Sequence, residues 1–235
     1  MTPDDQTGRT RRRLLAAAGP LAPALLIAFA LTAPPGTDTL SQDKTVNLNL
    51  LATVAANRDR TAIAGVLIMF ALMSMLPFIA GLAGAIRGRG AWLATLGAAM
   101  ATAGCFVVGV VNAFWIFNVK ATDPSLASQR DAMAQLIGSG HWTGVIYFVF
   151  HTFVFFFGWL ILAYAIGRSR LVPRWHAALF GVCVPVLYVS NDRWAAVISG
   201  ALMLVAFLLL APLVARAPVP ASEVKSPEGA IAVAR

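Results

Sequence analysis

Polar side chains inside long apolar stretches are the residues of this sequence best suited to chemistry. Such groups are expensive in hydrocarbon, and they mark function or helix contacts. Histidine changes charge near neutral pH, which makes His151 the candidate general acid or base, with Asn112 or Asp192 orienting its ring. Together with nearby polar residues, these side chains predict a ligand-binding pocket that opens on the outer side of a membrane. The predicted pocket residues are Asn112, Tyr147, His151, Asn191, Asp192 and Arg193.

A structural role for the same side chains is the alternative. Asn112 and His151 would then make hydrogen bonds between helices, while Asp192 and Arg193 would be solvated among lipid head groups. His151 is expected to face the helix bundle, because residues three or four positions apart share one side of a helix and small residues there favour close helix contact. The residues on this side are Gly144, Tyr147, His151, Phe155 and Gly158.

Most other sources of chemistry are excluded by the motifs that the sequence lacks. It has no phosphate-binding Gly-x-x-x-x-Gly-Lys, no Gly-x-Ser-x-Gly and no His-Glu-x-x-His. Its three histidines, His141, His151 and His176, are expected at different depths, which does not fit a pair of haem ligands. Cys105 and Cys183 lie inside apolar stretches without a Cys-x-x-Cys, and this predicts small buried hydrophobes. We therefore expect no metal and no cofactor.

Transmembrane helices are the elements that must position these residues. Hydrophobic residues make up 59% of the 235-residue chain and charged residues 12%, compared with about 25% charged residues in soluble domains. The apolar residues form stretches of about 18 or more, enough to cross roughly 30 Å of hydrocarbon as a helix. The sequence thus predicts an all-α integral membrane protein, a bundle of six transmembrane helices within residues 14–215. The predicted spans are residues 14–33, 61–86, 91–118, 142–167, 175–190 and 194–215.

The segments between and outside the spans are polar. Residues 34–60 are predicted to be a polar connection, and residues 119–141 a polar loop in which 125–137 forms a short surface helix. Residues 1–13 predict a basic cytoplasmic N-terminus, and residues 216–235 a disordered cytoplasmic tail. Basic residues before an apolar run also occur in signal peptides, but the length of this run favours a first span that is retained.

The distribution of charge predicts the orientation of the bundle. The chain has a formal net charge of +8. If the N-terminus is cytoplasmic, the segments on that side hold twelve Arg and Lys against four Asp and Glu, and the segments on the other side hold six of each. The whole excess then lies on one side, as the positive-inside rule requires. We expect both termini in the cytoplasm of a bacterium, a multi-pass protein in its inner membrane with the lipid bilayer as partner, and no nucleic-acid partner.

Two short basic turns carry a further pattern. Ala85-Ile86-Arg87-Gly88-Arg89 and Ala165-Ile166-Gly167-Arg168-Ser169-Arg170 each lead to a Trp followed by small residues. One interpretation is a duplicated helical hairpin, which is a feature of transporters. The other is that basic turns with an anchoring Trp recur in any inner-membrane protein.

The basic turns and the Ala/Gly-rich spans after them resemble those of uncharacterised multi-pass membrane proteins of actinobacteria. The resemblance covers residues 60–215 and rests on Arg87-Gly88-Arg89-Gly90 and on Arg168-Ser169-Arg170-Leu171-Val172-Pro173-Arg174-Trp175. It implies a fold and a location, but it implies no activity and no catalytic residues.

Three functions fit these observations. The missing motifs favour a non-catalytic membrane component that binds a lipid or small lipophilic molecule, or that assists transport or immunity. A small-molecule transporter is the alternative if the two hairpins are a true repeat. An intramembrane enzyme acting on a lipophilic substrate, with His151 as acid or base, is the third hypothesis.

Overall fold

The computed structural model of the protein describes residues 3–35, 43–112, 114–139, 145, 149–189 and 193–216. Within these ranges every regular element is a helix. The α-helices are α1 (Pro3–Thr32), α2 (Lys44–Ala56), α3 (Arg58–Ala85), α4 (Ala91–Asn112), α5 (Phe114–Ala121), α6 (Arg130–Ser139), α7 (Phe156–Ser169), α8 (Arg174–Val189) and α9 (Arg193–Arg216). A 3-10 helix, Pro124–Gln129, precedes α6, and a π-helical segment, Val149–Phe155, precedes α7.

Four of the described helices are long and apolar enough to cross a membrane. They are Gln6–Thr32, Arg58–Ala85, Ala91–Val110 and Arg193–Arg216. The prediction of an all-helical membrane protein is confirmed at this level. The apolar helix at Phe153–Ser169 is shorter, and α8 has 16 residues, which is about 24 Å at the rise of an α-helix.

Six of the described helices pack in a closed circuit. α1 packs against α3, α3 against α4, α4 against α7, α7 against α8, α8 against α9, and α9 returns to α1. Neighbours run antiparallel: Gly97 of α4 lies against Leu162 of α7, and Gly104, further along α4, lies against Phe155, further back in the chain. The starts of α1, α4 and α8 and the ends of α3, α7 and α9 therefore meet at one end of the bundle.

We call this end the arginine end, because it collects arginine from five segments of the chain. Its arginines are Arg9, Arg11, Arg12, Arg13, Arg87, Arg89, Arg168, Arg170, Arg174 and Arg216. Between the two ends, large apolar side chains such as Phe70 and Phe106 are more than half exposed. Exposed apolar side chains of this size are typical of the lipid-facing surface of a membrane protein.

Four aromatic rings from different helices stack in the centre of the bundle. Trp159 of α7 lies parallel to Phe180 of α8, with ring centroids 4.2 Å apart, and Phe207 of α9 stacks on Phe78 of α3 at 4.4 Å. Trp159 and Phe207 join the two pairs at 5.8 Å. The Trp159 indole N–H donates to the Phe180 carbonyl oxygen, so the one polar atom of the cluster has a partner.

Small residues let α4 and α7 approach each other closely. A Cβ atom added at Gly97 of α4 would lie 2.6 Å from the backbone nitrogen of Leu162, and one added at Gly158 of α7 would lie 2.5 Å from the backbone nitrogen of Ala101. Atoms at these distances repel strongly, because carbon contacts are optimal only near about 3.5–4.0 Å. The contact between the two helices therefore depends on glycine at both positions.

A small helical cap made of α2, α5 and α6 covers the end of the bundle opposite the arginines. Leu51 of α2 packs with Ala121 and Ala134 in a second hydrophobic cluster. The fully buried Asn47 donates from its side-chain amide to the Ala134 carbonyl oxygen at 3.2 Å, which fixes α2 on α6. α2 and α6 are short helices, and each buries its apolar side against the other.

The cap was only partly foreseen by the sequence pattern. The structure adds α2 to residues 34–60, which are predicted as a polar connection, and Asp43 caps this helix by accepting from the Thr45 backbone N–H at 2.7 Å. The short surface helix predicted at 125–137 is confirmed by the 3-10 helix and α6. α4 and α5 lie on either side of residue 113 and together extend over the predicted 91–118 span.

Asp123 organises the chain between α5 and α6. Its carboxylate accepts from the Ser125 hydroxyl at 2.8 Å and from the Ser125 backbone N–H at 3.1 Å. The Lys120 ammonium lies 3.4 Å away and the Arg58 guanidinium 3.9 Å away. The Ser125 hydrogen bonds, followed by Lys120, favour the ionised carboxylate and lower the pKa of Asp123 to about 2.

We expect Ser125→Ala to raise the pKa of Asp123 toward its ordinary value of about 4, because the strongest hydrogen bond to the carboxylate is lost. NMR titration of the carboxyl carbons in micelles measures this, with Asp123→Asn identifying the signal. Ser139→Ala is the matched control, since the Ser139 hydroxyl donates to the Leu136 carbonyl instead. An Asp123 titration that is the same in Ser125→Ala and in the control would contradict the assignment.

The lowered pKa also fixes the sign of the pH dependence. The ionised carboxylate stabilises the cap above the unfolded-state pKa of about 4, and the stabilisation is lost as the pH falls through the folded-state pKa.

The glycine contact between α4 and α7 gives a stability prediction. Gly158→Ala should cost about 1–3 kcal/mol, because a methyl group is forced against the α4 backbone. Gly84→Ala is the control, since a Cβ atom there meets nothing within 4 Å; it should stabilise by about 0.5–1 kcal/mol through a less flexible unfolded chain. Denaturation midpoints in detergent measure both changes, and equal midpoints for the two variants would refute the close contact.

Candidate functional site

The pocket predicted from the sequence lies largely outside the described residues. Tyr147, Asn191 and Asp192 are outside them. The backbone of His151 is described as part of the π-helical segment Val149–Phe155, but its side chain is not. The proposed convergence of these polar groups therefore stays a prediction.

Asn112 and Arg193 are described, and each makes hydrogen bonds of its own. The Asn112 amide donates to the Val108 carbonyl, one turn back in α4, at 2.8 Å. Arg193, at the start of α9, donates from Nε to the Ala30 carbonyl at 2.9 Å and from its guanidinium to the Leu31 carbonyl. These carbonyls belong to the last turn of α1, which has no partners within its own helix. Arg193 therefore caps α1 and complements the negative end of its dipole.

A groove of about 850 Å³ lies between α7 and α8 and reaches the arginine end. This volume is within the range of small-molecule sites in proteins. Four arginines form its mouth: Arg89, Arg168, Arg170 and Arg174. The rest of the lining is apolar apart from one phenol, and it includes Leu160, Ala163, Tyr164, Ala178, Val182 and Pro185. The groove is thus charged at one end and apolar along its side, which matches the two parts of an amphiphilic molecule.

The fold brings arginines from separate turns to one mouth. Arg168 lies in the last turn of α7, Arg170 follows it as the C-cap residue, and Arg174 is the first residue of α8. Arg89 comes from the turn between α3 and α4, about eighty positions earlier in the chain. Because α4 packs on α7, this earlier turn lies beside the end of α7.

Backbone conformation keeps the two turns close together. Gly88 and Gly90 have φ angles of +67° and +93°, which residues with a side chain rarely adopt. A Cβ atom added at Gly90 would lie 3.1 Å from the Ala165 carbonyl oxygen of α7, so this turn contacts the α7 backbone directly. Arg170 has φ +58°, the left-handed conformation that ends many helices.

The mouth is positive, and among the described residues no acidic side chain lines it. Three ion pairs lie at the opposite end of the bundle, for example Lys44 to Asp131 at 2.6 Å. The C-terminus of α7 and the N-terminus of α8 meet at the mouth with opposite partial charges, so the helix dipoles largely cancel. The field at the mouth is therefore set by the four guanidinium groups.

Small residues bring α7 and α8 close together at the floor of the groove. A Cβ atom added at Gly167 would lie 3.4 Å from the Ala177 Cβ, and one added at Gly181 would lie 3.3 Å from the Ala163 Cβ. Tyr164 and Val182 are 58% and 51% exposed, so the groove opens sideways onto the lipid-facing surface. A molecule dissolved in the membrane can enter it without crossing water.

The described residues of the lining include none that commonly acts as nucleophile or general base. Among them there is no Cys, His, Ser, Thr, Asp or Glu, and the hydroxyl they supply is that of Tyr164. In the described part of the chain, no group of three or more His, Cys, Asp or Glu residues could hold a metal ion. This arrangement can bind and orient a molecule.

From the sequence, these arginines were interpreted as signals of membrane orientation, as parts of a duplicated hairpin and as the basis of the family resemblance, but not as a binding site. A signal for the groove was present in the spacing: three arginines within residues 168–174 are followed by Ala177, Ala178 and Gly181 on one side of the next helix. Small residues on that side predict close helix contact, and so they did not predict an open groove. The contribution of Arg89 to the groove was not predictable from the sequence, because it depends on the packing of α4 against α7.

No protein-family model, no curated protein and no solved structure matches the chain. The groove is therefore interpreted from its own geometry and chemistry.

The Arg193 contact gives a testable prediction. Arg193→Met should destabilise the protein by about 1 kcal/mol, because the last carbonyls of α1 lose their donor. Arg60→Met removes the same charge from the same end of the bundle and is the control, with an expected change near zero. Thermal unfolding in detergent compares the two variants, and equal stabilities would show that the cap on α1 contributes nothing measurable.

Proposed function

We propose that the protein is a non-catalytic, multi-pass protein of the bacterial inner membrane that binds a lipophilic amphiphile between α7 and α8. The observation that carries this proposal is the groove, which joins an arginine mouth to an apolar wall open to the bilayer. Its lack of acid–base and nucleophilic side chains favours binding over catalysis. Binding of this kind matches the lipid- or lipophile-binding role that the missing motifs favour.

Six spans are part of the proposal. The π-helical segment and α7 have seven and fourteen residues, so together they extend about 31 Å, enough to cross the hydrocarbon. α8 is shorter, but it packs against both α7 and α9, as a further span of the bundle would. Short spans are accommodated by local thinning of the bilayer or by flanking residues that reach the interface.

Both termini are proposed to be cytoplasmic. Among the described residues, the arginine end holds ten arginines and two acidic residues, Asp4 and Asp5. The opposite end holds six basic residues (Lys44, Arg58, Arg60, Lys120, Arg130 and Arg193) and four acidic ones (Asp43, Asp59, Asp123 and Asp131). The positive-inside rule places such an arginine-rich end in the cytoplasm. Exposed Trp92 and Trp175 at this end fit the aromatic belt of a membrane interface.

The proposal predicts that filling the groove removes the bound molecule. Ala178 is an exposed lining residue, so Ala178→Trp places an indole in the groove with little disturbance of the core. A steric conflict of about 1–3 kcal/mol lowers affinity by about five-fold to a hundred-fold. Native mass spectrometry of the full-length protein, gently extracted from its membrane, measures the fraction that carries a non-covalent lipid or lipophile.

Leu208→Trp is the matched control. Leu208 is 54% exposed on α9, outside the groove, so this variant adds the same indole to the lipid-facing surface. We expect retention to fall in Ala178→Trp and to be unchanged in Leu208→Trp. Equal retention in both variants and the original protein would show that the groove is not a binding site.

A further inference from the structure

The geometry points to an anionic phospholipid as the occupant of the groove. Its phosphate would lie among Arg89, Arg168, Arg170 and Arg174, and an acyl chain would follow the apolar wall of α7 and α8. This inference rests on the proposed function, to which it adds the head-group charge and the leaflet from which the molecule comes.

Charge complementarity is the first argument. Four guanidinium groups line one mouth, and the described residues of its lining include no carboxylate, so the mouth is complementary in charge to an anion. Guanidinium donors match the oxygens of a phosphate in pairs, and they do so better than ammonium groups. Basic pockets between transmembrane helices on the cytoplasmic side are suited to anionic lipid head groups for this reason.

The depth of the groove is the second argument. From Arg174 at the mouth to Pro185 at the far end, the wall of α8 covers eleven residue steps, or about 16 Å. This is about half of the roughly 30 Å of hydrocarbon in a bilayer. The groove therefore has the depth of one leaflet, and its mouth lies at the head-group level of the same leaflet.

The transition from polar to apolar lining is the third argument. Tyr164 lies one turn before Arg168, and the Arg168 guanidinium donates to its hydroxyl at 3.5 Å. Tyrosine is typical of the boundary between head groups and hydrocarbon. Beyond Tyr164 the named wall residues Leu160, Val182 and Pro185 offer no hydrogen-bonding side chain, which disfavours a sugar, a peptide or a soluble anion.

The inference is tested by lipid titration of the full-length protein in detergent, followed by native mass spectrometry. The probes are palmitoyl-oleoyl phosphatidylglycerol and palmitoyl-oleoyl phosphatidylcholine, which share their acyl chains and differ in net charge. We expect tighter binding of the phosphatidylglycerol. Arg89→Gln combined with Arg174→Gln should weaken that binding by about 25-fold, at about five-fold for each arginine removed, and leave phosphatidylcholine binding nearly unchanged.

The matched control is Arg9→Gln combined with Arg216→Gln. It removes two charges from the same end of the bundle but from residues outside the groove. Phosphatidylglycerol binding that is retained in this control and lost in the groove variant supports the inference. Equal losses in both double variants would overturn it, since they would mean that only the overall charge of the arginine end attracts the lipid.

Two further arms separate this inference from the proposed function. If the two lipids bind equally and Ala178→Trp blocks both, the groove binds lipid without selecting charge, so the inference fails and the proposed function stands. If Ala178→Trp blocks neither, both fail. Glycerol phosphate, which has the anionic group without acyl chains, should not compete at equal concentration; competition as strong as that of the lipid would overturn the assignment to a phospholipid.

Discussion

Ring and backbone N–H groups inside hydrocarbon have no water to bind, so each must find a partner within the protein. Trp159 meets this constraint at the centre of the bundle, where its indole donates to the Phe180 carbonyl oxygen of α8. The same ring stacks on Phe180 and approaches Phe207, which continues the stack to Phe78 of α3. One side chain thus fixes α7 against α8, and the walls of the groove take their spacing from that contact.

Gly158, the residue before Trp159, has no side chain, and it also holds α7 close to a neighbouring helix. Gly158 presents bare backbone to α4, while Trp159 presents the largest side chain to α8 and α9. α7 therefore packs closely against α4 because Gly158 has no side chain, and it packs against α8 and α9 through the large ring of Trp159. Because α4 is held so close, the turn that carries Arg89 also reaches the groove.

Patterns that extend along one helix were predictable from the sequence, and contacts between distant segments were not. Apolar length predicted the four long helices, and charge counting predicted an arginine-rich end. α2 was missed because its thirteen residues mix Asn47 with Leu50 and Leu51, which is too short and too polar to resemble a span. The partner of Arg193 was missed because 163 residues separate it from Ala30. For Asn112, the sequence suggested a pocket or a hydrogen bond between helices, whereas in the structure its amide donates to the Val108 carbonyl of its own helix.

The length of α8 explains why a head-group site would form at the turn between α7 and α8. In the proposed six-span arrangement, its 16 described residues extend about 24 Å, less than the roughly 30 Å of hydrocarbon, and this would draw its flanking residues toward the membrane interior. Arg174 begins this helix, and in that arrangement its guanidinium would lie closer to the hydrocarbon than a charge beside a longer span. Ion pairing strengthens as the surrounding dielectric falls, so a phosphate stabilises such a charge more than it would in water. The α3 and α4 helices have 28 and 22 residues, so each is long enough to cross the hydrocarbon. The turn between them, which carries Arg89, is therefore not drawn toward the membrane interior. The short helix thus favours an anionic head group at its own first turn, with Arg89 supplied from the neighbouring one.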